Sequence, residues 1–217
     1  MLVVSDIQLK TKETLLYGAN MQLRKGTIYG LSARNGSGKT TLLRTISGLR
    51  SEPLGSIAIQ ENDHLLSALE VKKQLFYFET VEWLDPNLSG WDYLRFTQDA
   101  WNQSDRPIEE IVSFWEMDSY IKTPIKKYSL GMKQKVLLAM YGVSGASYWL
   151  LDEPTIGLDT NSLKKFQTYL LDAKTDGACI LFSSHQNDSL YAVCDYMYEM
   201  EDGSLLLSMI KKGDDKG

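Results

Sequence analysis

Apolar runs and amphipathic stretches alternate along the chain, and this pattern predicts the strands and helices of an α/β domain. The apolar runs predict strands at residues 2–9, 20–24, 27–31, 55–59, 75–78, 147–151, 179–183, 196–200 and 204–208. The last two strands flank the turn Asp202-Gly203 and are predicted to form a hairpin. A helix is predicted after the third strand, over residues 39–47, because Gly48 is suited to end it.

Between residues 86 and 144 the pattern changes to the spacing of helices. Ser89 is suited to cap one helix, and another begins near Leu130. Strands and helices alternate on either side of this block, which predicts a mostly parallel sheet with the block inserted in it. We therefore predict a single domain over residues 1–217, with an N-terminal antiparallel β portion, core segments at 1–85 and 145–217, and a helical subdomain at 86–144.

Composition narrows the class of protein. The chain has 217 residues, 43% of them hydrophobic, which is enough for one large core. Its net charge of −5 gives no indication of nucleic-acid binding. Cys179 and Cys194 have no metal-binding or disulfide spacing, which favours a reduced, cytosolic protein. We find no signal peptide and no apolar run of about 18 residues, so we expect a chain that does not cross a membrane alone.

The strongest chemical signal is the loop between the third strand and its helix, which reads Asn35-Gly36-Ser37-Gly38-Lys39-Thr40-Thr41. Its glycines allow the backbone to curl and to direct several N–H groups into one cavity, at the positive end of the helix dipole. Lys39 suits the β- and γ-phosphates of a nucleotide, and the Thr40 hydroxyl suits Mg²⁺. The sequence therefore predicts a phosphate-binding loop, in which Ala33 stands where the pattern has its first glycine.

Two adjacent carboxylates follow the strand at 147–151. Asp152 suits Mg²⁺, and Glu153 suits a base or a water-orienting group beside a γ-phosphate. His185 follows the strand at 179–183 and suits a hydrogen bond to the γ-phosphate or to the attacking water. On local grounds alone, a strand-end histidine bonded to backbone is the better explanation of His185.

A third motif, Ser129-Leu130-Gly131-Met132-Lys133-Gln134, opens a helix. Ser129 is a natural N-cap, and an exposed helix start that contains Ser and Gly can bind an anion. An ordinary capped helix explains the same residues at least as well, so this segment does not decide between the two by itself.

Together and in this order, the segments resemble the ATP-binding subunit of ABC transporters. The matching motifs are Walker A (33–40), the signature sequence (128–134), Walker B (149–152), the D-loop (157–159) and the switch histidine His185. The resemblance implies a P-loop ATPase core that binds ATP and Mg²⁺. It also implies roles: ATP contacts from Asn35 to Thr41, Ser129, Gly131 and Asp159, metal contacts from Thr40 and Asp152, and catalysis by Glu153 and His185.

The resemblance further implies partners. In this family two ATPase subunits close over ATP, and Ser129 and Gly131 of one subunit would touch the γ-phosphate held by the other, in a homodimer or a heterodimer. A separate permease is expected to dock on the helical block and on residues 79–88, which places the chain peripherally on the inner face of the cell membrane. The signature form of residues 128–134 resembles the subgroup that exports antibiotics, bacteriocins or other peptides.

Three departures from the family pattern keep other functions open. Ala33 replaces glycine, Thr80 (preceded by Glu79) stands where the Q-loop glutamine is usual, and residues 9–12 lack the aromatic that stacks on adenine, Tyr17 lying later than expected. A nucleotide-binding module that hydrolyses ATP poorly is therefore one alternative. A non-transport ABC-type ATPase switch is another. A GTPase is disfavoured because no Asn-Lys-x-Asp motif occurs.

Overall fold

The computed structural model describes residues 1–10, 14–34, 36–50, 54–62, 64–103, 107–184 and 189–209. Ten strands and six α-helices lie in these segments. The strands are β1 (Leu2–Lys10), β2 (Thr14–Leu23), β3 (Thr27–Ala33), β4 (Leu54–Glu61), β5 (His64–Leu65), β6 (Leu75–Tyr77), β7 (Tyr148–Asp152), β8 (Cys179–Ser184), β9 (Tyr196–Glu201) and β10 (Ser204–Met209). The helices are α1 (Lys39–Ile46), α2 (Ala68–Gln74), α3 (Gly90–Ala100), α4 (Ile108–Phe114), α5 (Leu130–Ser144) and α6 (Thr160–Thr175).

A six-stranded sheet in the order β10-β9-β3-β8-β7-β6 forms the centre of the molecule. Five of its strands are parallel, and β10 pairs antiparallel with β9. Central parallel strands are covered on both faces and so consist of nearly continuous apolar runs; all six residues of β8 are buried. Because β3 and β7 point the same way with β8 between them, their carboxyl ends lie at one edge of the sheet.

A second, four-stranded sheet in the order β2-β1-β4-β5 is antiparallel. Its β1 strand buries Leu2, Val4, Ile7 and Leu9, and the register shifts between Val4 and Ile7. The Tyr17 N–H donates a 2.8 Å hydrogen bond to the Gly203 carbonyl in the β9–β10 turn. This contact fixes the start of β2 beside the carboxyl end of β9.

Helix α5 anchors the helical block to the central sheet. Its residues from Val136 to Ser144 are all buried, as expected of a helix that is apolar on every side. The Tyr141 hydroxyl donates a hydrogen bond to the Leu150 carbonyl, and its ring packs edge-on against Phe76 with 4.7 Å between centroids. Gly145 ends the helix with a left-handed φ of 59°. Within the described segments, every helix is too short or too polar to cross a membrane.

The sheets confirm the predicted α/β class, with its mostly parallel sheet, N-terminal antiparallel portion and inserted helices. Two details were wrong. Strand β2 begins at Thr14 rather than residue 20, because Gly18, with φ 81°, and Asn20 interrupt its apolar pattern without ending its pairing. Helix α2 was not predicted, although Ser67 and Glu70 form a capping box at its start. The division of the chain into core segments and a subdomain stays a prediction.

Candidate functional site

The loop after β3 has the backbone shape that its glycines were expected to provide. Gly36 and Gly38 have φ values of 78° and 104°, in the left-handed region that favours glycine. Gly38 is the N-cap of α1 and carries no side chain, so the first N–H groups of this helix are left for an anion. Thr40 and Thr41 lie in the first turn of α1 and are partly buried. Asn35 lies outside the described residues.

Two polar side chains are buried at the centre of this loop. Lys39 is 6% exposed, and its Nζ donates a 3.0 Å hydrogen bond to the Ala33 carbonyl. Ser37 Oγ is buried and has no hydrogen-bond partner among the described residues. A buried ammonium group and a buried unsatisfied hydroxyl both cost free energy. An anion bound in the loop would compensate both of them.

Alanine at position 33 fits the loop without strain. Ala33 is the last residue of β3 and pairs with Met200 of β9, so its backbone is extended, a conformation that any residue adopts. Glycine is therefore not required here, and the first departure from the Walker A pattern leaves the loop geometry intact.

Strand β7 brings Asp152 to the same edge of the sheet. Its Oδ1 accepts a hydrogen bond from the Ser183 hydroxyl of β8. The next residue, Glu153, has a φ of 46°, and its N–H donates to both the carbonyl and the hydroxyl of Ser183, each at 3.1 Å. Ser183 thus orients both acidic residues. Ser183 was not predicted from the sequence, in which its only signal is a serine at the end of an apolar strand.

The predicted switch histidine, His185, lies outside the described residues. Strand β8 ends at Ser184, whose carbonyl accepts a 2.8 Å hydrogen bond from the Tyr191 hydroxyl. The residue directly before His185 is therefore buried at the carboxyl end of β8, between the strands that carry the phosphate loop and Asp152.

The start of α5 contacts the loop that follows Glu153. A Cβ on Gly131 would lie 2.7 Å from the Gly157 carbonyl oxygen, so only glycine permits this approach. The Gln134 side-chain amide donates a 2.8 Å hydrogen bond to the Pro154 carbonyl. Ser129 caps its own helix, because its hydroxyl accepts a 3.2 Å hydrogen bond from the Met132 N–H. The signature segment is thus attached to the Walker B end of its own chain.

Asp159 lies further along that loop and caps α6. Its carboxylate accepts a 2.7 Å hydrogen bond from the Ser162 N–H, and this bond lowers the pKa of Asp159 below its usual value. The residue is exposed. Its position on an exposed helix start leaves it open to contact from another molecule.

The segment after β6 carries an ion pair that was not predicted from the sequence. Glu79 forms a bidentate ion pair with the Arg44 guanidinium of α1 and accepts a 3.0 Å hydrogen bond from the Tyr77 hydroxyl. The hydrogen bond from Arg44 lowers the pKa of Glu79, and burial raises the pKa of Tyr77. Thr80, at the expected Q-loop position, instead accepts a 3.3 Å hydrogen bond from the Glu82 N–H. Helix α1 is therefore tied to this segment by charge.

The hydrogen-bond donors and oxygen ligands at this sheet edge fit a nucleoside triphosphate and a magnesium ion. The curled loop, the start of α1 and Lys39 together supply the N–H groups and the cation that phosphates require. Thr40 and Asp152 offer the oxygen atoms that Mg²⁺ prefers, and this ion is commonly held by one or two side chains plus the substrate's phosphates. The phosphate loop and Asp152 both lie at the carboxyl edge of one sheet, where ligands bind in open α/β folds.

Comparison with known proteins agrees with this geometry. The model of the ABC transporter family matches residues 16–156, more than half of the chain. The chain belongs to the ABC transporter family. It is 29% identical over 196 residues to the lantibiotic transport ATP-binding protein SrtF of Streptococcus pyogenes, covering 90% of this chain and 84% of SrtF. It is 33% identical over 196 residues to YybJ of Bacillus subtilis, an uncharacterised ABC transporter ATP-binding protein, covering 89% of each.

Solved structures show the same fold. A structure described as the ATP-binding subunit of an ABC transporter superposes with a TM-score of 0.86 at 24% identity, covering 97% of this chain and 90% of that one. The family match and the relative at 33% identity confirm the resemblance inferred from the motifs. This ABC protein is an ATP-binding subunit, and its activity is ATP hydrolysis coupled to transport.

Proposed function

We propose that this ABC subunit binds ATP in the loop 35–41 and, as one half of a dimer, powers export of a peptide or a related compound through a separate permease. The single observation that carries the proposal is the shared sheet edge. There the buried Lys39 follows β3 and the paired acids Asp152 and Glu153 lie at the end of β7, and these two strands are separated only by β8.

The phosphates of ATP are bound by the loop glycines, the Ser37 hydroxyl, Lys39 and the first turn of α1 with Thr40 and Thr41. Support comes from the buried Ser37 hydroxyl, which has no partner among the described residues, and from the left-handed φ of Gly36 and Gly38. Asn35 completes this set in the family pattern. Lys39 already lies at the loop centre, so the protein does not have to reorganise to present its charge.

Magnesium would be held by Thr40 and Asp152. Bound there, it would neutralise charge on the phosphates during transfer. Ser183 orients Asp152 through its hydroxyl, and this leaves the second carboxylate oxygen of Asp152 for the ion or for its water ligands. Glu153 orients the attacking water and accepts its proton, and His185 is proposed to assist at the γ-phosphate.

The ATP site is completed by a second subunit. Within one chain, Leu130 and Gly131 adjoin the loop at Gly157, and Ser129 and Gly131 are proposed to contact the γ-phosphate bound by the partner. Asp159 lies in the same loop system and is exposed, as a contact between subunits requires. Both a homodimer and a heterodimer are compatible with this arrangement.

The permease is proposed to dock on the helical block and on the adjoining segment 79–88, which keeps the chain on the inner face of the membrane. Four large apolar side chains are exposed there: Trp83 at 45%, Leu88 at 45%, Phe96 at 70% and Leu130 at 49%. Export of a peptide-like compound is supported by the signature form of residues 128–134 and by similarity to a protein named for lantibiotic transport. Since Ala33 fits its strand without strain, the alternative of a poorly hydrolysing module loses one of its reasons.

The variant Glu153→Gln tests the dimer mechanism. We expect it to bind ATP, to hydrolyse it about 10²–10⁴-fold more slowly because a proton acceptor is lost, and to accumulate as an ATP-bound dimer. Phosphate release measures the rate of hydrolysis. Light scattering after size exclusion, with Mg²⁺ and either ATP or ADP, measures the formation of the dimer. Glu109→Gln, an exposed change in α4, is the matched control. A Glu153→Gln chain that binds ATP yet stays monomeric contradicts the proposed closure.

A further inference from the structure

A cavity of about 450 Å³ lies at the amino-terminal edge of the central sheet. Its wall includes residues 145–147, which precede β7, and residues 176–178, which precede β8. From Ser147 to Asp152 the chain advances five residues, which is roughly 16 Å in an extended strand. The cavity is therefore separate from the phosphate loop and the acids at the carboxyl edge, and its volume is in the range of small-molecule sites.

Two aromatic rings form an apolar wall of this cavity. Trp149 of β7 and Tyr169 of α6 both line it, and their ring centroids are 5.5 Å apart. The Trp149 indole N–H donates a 2.9 Å hydrogen bond to the Ala146 carbonyl, which fixes the orientation of its ring. A Cβ on Gly142 of α5 would overlap the Tyr169 hydroxyl group. Glycine inside a helix costs stability relative to alanine, and here it is required for Tyr169 to pack against α5.

The charged residues that line the cavity give it a negative potential. Asp172 and Asp176 both line it and are exposed. They are four residues apart at the end of α6, a spacing at which like charges repel each other. Lys25 is the only cationic residue among the described lining residues, and its Nζ forms a 2.8 Å ion pair with Glu61. The charge of Lys25 is therefore already offset by another carboxylate.

Two helices also end at this cavity, α5 before Gly145 and α6 before Asp176. The carboxyl end of a helix carries the negative end of its dipole, which favours a cation and disfavours an acid. Lys174, the basic residue in the last turn of α6, is paired with Asp195 at 2.6 Å. A cation bound in the cavity would therefore be attracted by both helix ends and by both carboxylates. Among the described residues no group of three His, Cys, Asp or Glu could hold a metal ion, so the aromatic wall favours an organic cation.

We propose that this cavity is a binding site for a small organic cation, namely a primary amine with an apolar body. The ammonium group lies beside Asp172 and Asp176, and the apolar body lies against Trp149 and Tyr169, whose ring faces also attract a cation. The site contacts β7, α5 and α6 at the ends that are remote from the nucleotide. A bound amine would therefore contact three elements whose opposite ends carry Walker B, the signature segment and the D-loop.

The test compares 2-phenylethylamine, which is protonated at neutral pH, with 2-phenylethanol, in which a hydroxyl replaces the amine. Dissociation constants are measured on the full chain without nucleotide, by NMR chemical-shift titration. Wild type should bind the amine about tenfold more tightly than the alcohol, as expected for a partly desolvated cation. In Asp172→Asn with Asp176→Asn this ratio should fall toward one, while the affinity for the alcohol stays the same. The double variant should fold as stably as wild type in urea unfolding, because it removes charges that oppose the helix dipole.

Two further variants keep the test decisive. Lys25→Met should strengthen binding of the amine and leave the alcohol unchanged, since it removes the cationic lining residue. Asp99→Asn, which changes an exposed acid in the last turn of α3 away from the cavity lining, should alter neither constant. Failure of wild type to bind either probe, a ratio near one, or a preference for the amine that survives loss of both carboxylates overturns the proposal. Because no ATP is present, these outcomes are independent of the proposed nucleotide site.

Discussion

Two helices of this protein begin at proposed phosphate contacts, and their first turns are built differently. Helix α1 begins after Gly38, which has no side chain to cap it, with Lys39 buried and the Ser37 hydroxyl beside it. Helix α5 begins after Ser129, whose hydroxyl already accepts a hydrogen bond from the Met132 N–H. The first helix start is open to an anion, and the second is satisfied within its own chain.

The difference between the two helix starts indicates which of them is expected to contact ATP first. An uncapped helix start with a buried ammonium group is preorganised, so we expect α1 to bind phosphate with little rearrangement. The α5 start gains nothing from an anion until another subunit presents one, and its first residue, Leu130, is 49% exposed. We therefore expect ATP to bind α1 of a single subunit and to recruit α5 of a second.

The variant Lys39→Ala tests the α1 half of this comparison, with the largest expected effect. Removing the positioned cation should lower turnover by about 10²–10³-fold or abolish it, since a preorganised donor to the transferring phosphate is lost. Nucleotide titration should show that affinity falls as well. Lys164→Ala, which changes an exposed lysine of α6, is the control and should leave both quantities unchanged. Wild-type turnover in Lys39→Ala would remove Lys39 from the mechanism.

The comparison also shows what could be read from the sequence. The phosphate loop and the acids Asp152 and Glu153 were predictable because their chemistry depends on neighbouring residues and on one strand–loop–helix pattern. Ser183 and the Arg44–Glu79 pair were not, because each depends on which strand or helix becomes a spatial neighbour.

The variant Ser129→Ala tests the α5 half, with an intermediate effect. Loss of the cap should cost about 1 kcal/mol of folding free energy. In addition, hydrolysis should fall roughly tenfold because a hydrogen bond to the partner's nucleotide is lost. Binding of ATP to the single subunit should not change. Phosphate release, ATP titration and urea unfolding separate these three quantities.

Ser89→Ala provides a matched control for that experiment. Ser89 caps α3 through the Asp92 N–H at 3.2 Å, in the same capping-box arrangement as Ser129, but it lies away from the proposed phosphate contacts. It should lose similar stability and keep its hydrolysis rate. Equal hydrolysis in the two variants would reduce Ser129 to an ordinary cap.

The smallest expected effect concerns the contacts that hold α1 and α5 in place beyond their first turns. Helix α5 is held by apolar burial, whereas α1 is held in part by the Arg44–Glu79 ion pair, in which the Glu79 side chain is 11% exposed. The pKa of Glu79 is lowered from 4.5 by Arg44, so this carboxylate stabilises the fold fully above about pH 4.5 and loses its contribution as the pH falls through its lowered pKa. Glu79→Gln should therefore cost about 1 kcal/mol or less at neutral pH.

Acidification should then erase the difference between wild type and Glu79→Gln. The difference in the free energy of unfolding is measured by urea unfolding of both proteins near pH 7 and again below the lowered pKa of Glu79. Glu116→Gln is the matched control, because Glu116 pairs with Lys165 at 2.6 Å but its side chain is 58% exposed, so solvent screens that pair more strongly. If the two variants behave alike at every pH, then the burial of Glu79 adds nothing to the strength of its ion pair with Arg44.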